Sequence, residues 1–121
     1  MAMLPYRAPW DYETKPFKIV DGVYYVGNRN VSVHLFDTGE GLLLLDTAYT
    51  ETAYLLFDSI YKLGFNPRDV RWIVHSHGHY DHFGATRYFV EMCGAKTYMP
   101  KKDMPFMTDA VMNGCAGAGL R

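Results

Sequence analysis

"VRWIVHSHGHYDHFGA", residues 70–85, sets an apolar strand pattern directly against a histidine cluster. Val70 to Val74 is rich in β-branched and aromatic side chains, the composition of a buried strand. Four of the chain's five histidines, His75, His77, His79 and His82, follow within eight residues, together with the carboxylate of Asp81. Phe83-Gly84 then turns the chain into a helical pattern. The fifth histidine, His34, lies far upstream inside a strand pattern, where it is a packed or surface residue or one that reaches the mouth of a site.

Imidazole and carboxylate are the ligands a zinc ion takes beside thiolate. His77 and His79 are two apart and can face one ion from an extended or tightly turned loop. Asp81 and His82 are adjacent and can reach a second. Two such pairs in one short loop suit a two-metal site, with ions about 3.5–4 Å apart. His75 falls on the strand side, out of phase, and is expected to flank the site without ligating. Two other readings stay open: a histidine-rich surface loop, and phosphate binding at the N-terminus of the following helix. The second would not need so many imidazoles.

Outward from the cluster, the hydrophobic period alternates between strand and helix. "PFKIVDGVYYVG" (16–27) reads as two short strands around the turn Asp21-Gly22. "VSVHLFDTGEGLLLLDTA" (31–48) reads as a hairpin, with strands Val31 to Asp37 and Leu42 to Leu45 around "TGEG". Both phases of "GLLLLD" are apolar, the pattern of a strand covered on both sides. In "YTETAYLLFDSIYKLG" (49–64) the spacing of Ala53, Leu56, Phe57, Ile60 and Leu63 draws one helical face, with Thr50 as N-cap and Gly64 as terminator. A second helix is predicted from about Ala85 to Met92, with Phe89 and Val90 as core residues. "AKTYM" (95–99) is a further strand, and "KKDMPFM" (101–107) a short helical or irregular piece. The order strands, helix, strand, loop, helix, strand predicts an α/β layer: a mixed sheet with helices packed on it and right-handed crossovers. The histidine loop then lies beyond a strand's carboxyl end, where such sheets place their functional loops.

Composition narrows the function classes. The 121 residues carry twelve basic and thirteen acidic side chains, a formal net charge of -1, so no field of either sign argues for nucleic acid or an anionic membrane. No apolar run approaches the roughly 20 residues that span a bilayer. The first residues lack a signal-peptide pattern, which leaves a cytoplasmic location, or a periplasmic or secreted one if such a peptide was removed. The two cysteines, Cys93 and Cys115, form no CxxC pair and no disulfide framework; Cys93 reads as a small core residue. Asn30 to Ser32 fits the glycosylation pattern but is expected inside a strand.

"SHGHYDH", Ser76 to His82, resembles the HxHxDH signature of the metallo-β-lactamase-fold hydrolases. "PFKIVDGVYYVG", "LLLLDTAY", "GFNPRDVRWIVHSHGHYDHFGA" and "GAKTYM" extend the resemblance over roughly Pro16 to Met107, and it is closest to the subclass B3 β-lactamases. The resemblance implies the N-terminal half of an αββα sandwich: an extension over 1–15, a half-domain over 16–107, and a small-residue tail over 108–121 that begins a truncated segment. It places His77 and His79 on a first zinc, and Asp81 and His82 on a second. Asp81 also orients the nucleophile. Asp46, at the end of "LLLLD", matches an aspartate that supports the metal loop from behind; a simple turn or cap aspartate is the alternative. Gly84 would let the chain turn closely into the next helix, and Tyr80 would line the pocket. The implied chemistry is hydrolysis by a metal-activated hydroxide attacking a carbonyl, with an amide, lactone or ester of a small molecule as substrate.

The resemblance also implies ligands that this sequence lacks. No histidine follows His82, so the loop offers four family-type ligands and neither ion a full shell. The expectation is a chain with weak or no activity alone, and either a homodimer or a complex with a missing C-terminal half. The second functional class is a non-catalytic metal-binding or structural half-domain that self-associates.

Overall fold

The computed structural model describes residues 8–76 and 83–99. Six strands form one sheet in sequence order: β1 (Phe17–Val20), β2 (Val23–Tyr25), β3 (His34–Asp37), β4 (Leu42–Leu45), β5 (Val70–Val74) and β6 (Lys96–Tyr98). The first four run antiparallel, β1–β2 and β3–β4 joined by short turns and β2–β3 by the loop 26–33. β4, β5 and β6 are parallel, and each step requires a crossover. Helix α1 (Ala53–Lys62) makes the first crossover and α2 (Thr86–Cys93) the second. Two crossovers of one hand that advance across the sheet in the same direction put both helices on one face. A single core results: Leu35, Leu44 and Ile73 of the sheet pack with Leu56 and Ile60 of α1 and Phe89 of α2.

The sheet's two faces differ. On β4, Leu42 and Leu44 are buried, whereas Leu43 and Leu45 are only half-buried. The all-apolar run therefore predicted more cover than the described residues supply. Cross-strand register places Tyr25, His34, Leu45 and Val74 on the open face. Phe17 stacks on Tyr25 there, with ring centroids 5.3 Å apart, and the Tyr25 ring meets His34 edge-on at 5.8 Å. The outer strand β1 is exposed throughout, including Phe17 and Val20.

Three local expectations need correction. Thr50 does not cap α1. A 3-10 turn, Thr50–Thr52, precedes the helix, and the Thr50 hydroxyl donates instead to the carbonyl of Gly84 at 2.6 Å. The segment Asn30 to Ser32 lies outside the strand, with a bend at 29–31, because the Asn28 side chain accepts from the amides of Asn30 and Val31 at 2.8 and 2.7 Å. Val90 is half-buried, whereas Phe89 is fully buried in the core. Gly64 follows α1 with φ +91°, a left-handed terminus that Gly adopts without a Cβ clash. Cys93 is half-buried at the end of α2, with its thiol against the carbonyls of Phe89 and Val70. Among the described residues no helix is long and apolar enough to cross a membrane.

Candidate functional site

The carboxyl ends of β4, β5 and β6 converge. Leu45 pairs with Val74 and Val74 with Tyr98. Beyond that register the chain continues the ladder: the Asp46 amide donates to the carbonyl of Val74 at 2.8 Å, and the His75 amide to that of Tyr98 at 2.7 Å. Asp46 and Ala48 then adopt left-handed backbone, φ 67° and 61°. For a residue with a Cβ this costs about 1–2 kcal/mol, least for Asp and Asn. Such strain persists only where surrounding bonds hold it.

Those bonds are present. The buried Asp46 carboxylate accepts from the Ser76 amide at 2.8 Å through Oδ1 and from the Ser76 hydroxyl at 2.7 Å through Oδ2. Hydrogen bonds to a charged acceptor contribute about 1.5–3 kcal/mol each, which exceeds the backbone cost. The Ala48 carbonyl, aimed by its unusual φ, accepts from the Gly84 amide at 2.6 Å. Together with the bond from Thr50 to the Gly84 carbonyl, this ties both polar groups of Gly84 to the segment after β4. The approach leaves no room for a side chain. A Cβ on Gly84 would fall on the backbone nitrogen of Thr50 and lie 2.7 Å from both Ala48 O and Tyr49 C.

A second set of bonds runs beneath. The His75 ring is fully buried, with Nε2 3.2 Å from the Thr86 hydroxyl and Nδ1 3.9 Å from Asp46 Oδ1. Thr86 meets the Thr47 hydroxyl at 2.9 Å, and Thr47 accepts from the Ala85 amide at 3.2 Å. Thr47 and Thr86 escaped sequence reasoning. They lie 39 positions apart, and a lone threonine at a strand exit or helix start carries no signal of a partner.

The four residues singled out as metal ligands, His77, His79, Asp81 and His82, lie outside the described residues, as do Tyr80 and Cys115. What the described structure brings together is their two flanks: Ser76, held by Asp46, and Gly84, held by Ala48 and Thr50. His34 lies on the open face beside Leu45, at this same end of the sheet. Among the described residues no three His, Cys, Asp or Glu side chains group to hold a metal ion.

Residues 26–120 match the profile of the Metallo-beta-lactamase superfamily. Among solved structures, BJP-1, a subclass B3 metallo-beta-lactamase of Bradyrhizobium japonicum, is 34% identical with a TM-score of 0.76, over 79% of this chain and 36% of that one. A metallo-beta-lactamase from Cronobacter sakazakii is 30% identical with a TM-score of 0.79, over 89% of this chain and 40% of its own. MEM-A1, a subclass B3 enzyme from a soil metagenome library, is 31% identical with a TM-score of 0.74, over 79% and 36%. The chain thus spans well under half the length of these relatives, and its mixed sheet with helices on one face is a part of their α/β sandwich. With the profile matching most of its length and the parallel-strand ends built as described, the chain belongs to the metallo-beta-lactamase superfamily.

Proposed function

We propose that the chain carries the metal loop of a zinc-dependent hydrolase. One observation supports this most. The flanks of segment 77–82 are pinned by a buried carboxylate and a glycine that admits no side chain, at the carboxyl ends of parallel strands. Support that dense, with two left-handed residues maintained beside it, is spent on a segment that must be held in place. The donor set, three imidazoles and a carboxylate, suits zinc. His77 and His79 would hold one ion, and Asp81 with His82 a second. Bound zinc supplies Lewis acidity toward a carbonyl oxygen and makes water a competent nucleophile near neutral pH. Asp81 would orient that water. Asp46 fixes the strand-side entry to the loop through Ser76, the kind of outer support that tunes a metal site. The substrate would be a small amide, lactone or ester; the similarity to subclass B3 metallo-beta-lactamases favours a β-lactam.

The alternative is a non-catalytic metal-binding or structural unit that associates with a second copy or with a further segment. The incompletely covered sheet face, with Phe17, Tyr25, Leu43 and Leu45, favours association in either case. Sedimentation at micromolar concentration is expected to show a species larger than one chain; a monomer with intact tertiary structure would refute it.

Calorimetric zinc titration tests the loop assignment. His77→Ala and His79→Ala should weaken mainly one ion, Asp81→Ala and His82→Ala mainly the other, with losses inside each pair that do not add. Hydrolysis of a chromogenic β-lactam, a lactone and a thioester by the zinc-loaded chain should be weak or absent, because four loop ligands leave both ions short of the three protein ligands a catalytic zinc takes. Robust turnover abolished by His79→Ala would make the chain a working enzyme as it stands. No zinc uptake at all would remove the metal reading.

A further inference from the structure

We propose that Thr47, His75 and Thr86 form a positioning network that holds the two flanks of segment 77–82 in one register, and thereby sets how tightly that segment takes up a divalent cation. The second half of this statement rests on the metal-binding reading above; the first does not. None of the three residues is among the proposed ligands.

The three side chains come from three separate elements: the exit of β4, the exit of β5 and the first residue of α2. All three are buried. Hydroxyls and an imidazole in that setting are costly unless bonded. Valine fills the volume of threonine without that cost, so packing alone does not account for them. The bonds form one continuous chain. Thr47 accepts from the Ala85 amide at 3.2 Å, and its hydroxyl meets that of Thr86 at 2.9 Å. The Thr86 hydroxyl meets His75 Nε2 at 3.2 Å, and the ring's Nδ1 lies 3.9 Å from Asp46 Oδ1. Among the described residues no buried side-chain nitrogen or oxygen is left unbonded. A fully bonded buried network selects one arrangement of the elements it joins. Here the joined groups are the ring of His75, the residue before Ser76 on one flank, and the amide of Ala85, next to Gly84 on the other. Asp46 and Ala48 fasten the same two flanks from the β4 side. A shift of either flank would therefore have to break both sets of bonds.

The test compares the full chain with Thr86→Val, Thr47→Val and Thr86→Ser. Amide hydrogen exchange is measured without metal, and zinc affinity by calorimetry. Thr86→Val and Thr47→Val are expected to speed exchange at Ser76 and Ala85 while Leu44 and Ile73 stay protected. Zinc stoichiometry should be unchanged and affinity lower by about tenfold, the scale at which outer supports act on metal sites. Thr86→Ser, which keeps the hydroxyl, should restore both readouts. Unchanged exchange at Ser76 and Ala85 in Thr86→Val would overturn the proposal. So would equal loss of protection at Leu44 and Ile73, which would make the role one of general packing. A wild-type chain that takes up no zinc while the exchange pattern stands would sink the metal reading and support the network.

Discussion

Replacing Gly84 by alanine adds one methyl group at the point where two backbones touch. That methyl would fall on Thr50 N and sit 2.7 Å from Ala48 O and Tyr49 C, all backbone atoms with no flexible side chain to yield. Overpacking costs about 1–3 kcal/mol, and rigid neighbours put this site near the upper end. Relief requires the chain after β4 to move away, which stretches the bonds from Gly84 N to Ala48 O and from Thr50 Oγ1 to Gly84 O, both 2.6 Å. Losing one of them adds about 1 kcal/mol. The reduced freedom of the unfolded chain returns about 0.4–1 kcal/mol. The net expectation is a loss of about 3 kcal/mol. For a chain of this size, about 3–5 °C per kcal/mol puts the fall in Tm at about 10–15 °C. Urea and thermal denaturation of the metal-free protein measure it without reference to any activity. A Gly84→Ala variant within about 1 kcal/mol of wild type would show that the close approach of the two segments is not rigid, and would remove the argument for a pinned flank.

Asp46→Asn keeps a side chain tolerant of φ 67° but withdraws the charge from both bonds to Ser76, and should cost about 1–2 kcal/mol. Asp46→Ala, which loses both acceptors and strains the backbone, should fall further in urea denaturation; an Asp46→Asn variant as stable as wild type would mean the charge is irrelevant. Burial pushes the Cys93 thiol above its ordinary range, against the opposing pull of a backbone bond from Ala95 and of Arg68. Less thiolate is then present at a given pH, so alkylation by iodoacetamide at pH 8 should be slower in the folded protein than in urea and should rise as pH increases. Equal rates in the two states would contradict that burial.

Much of this architecture was legible in the sequence because it rests on short-range rules. The alternation of "PFKIVDGVYYVG", the β-branched run "VRWIV" and the helical spacing from Ala53 to Leu63 each reflect a period that one element imposes on its own residues. The histidine cluster was legible for the same reason: residues proposed to serve one ion from one loop must be close in sequence. What only the tertiary structure decided is long-range. Asp46 reaching Ser76 across 30 positions, Thr50 bonding to Gly84 across 34 and not capping its own helix, and Thr47 meeting Thr86 across 39 all depend on three parallel strands ending side by side. Parallel neighbours are joined only through a crossover, so their adjacent ends are always distant in sequence. The apolar run "LLLLD" likewise declared two faces fit for burial, but its composition could not say which one the helices of this chain would cover.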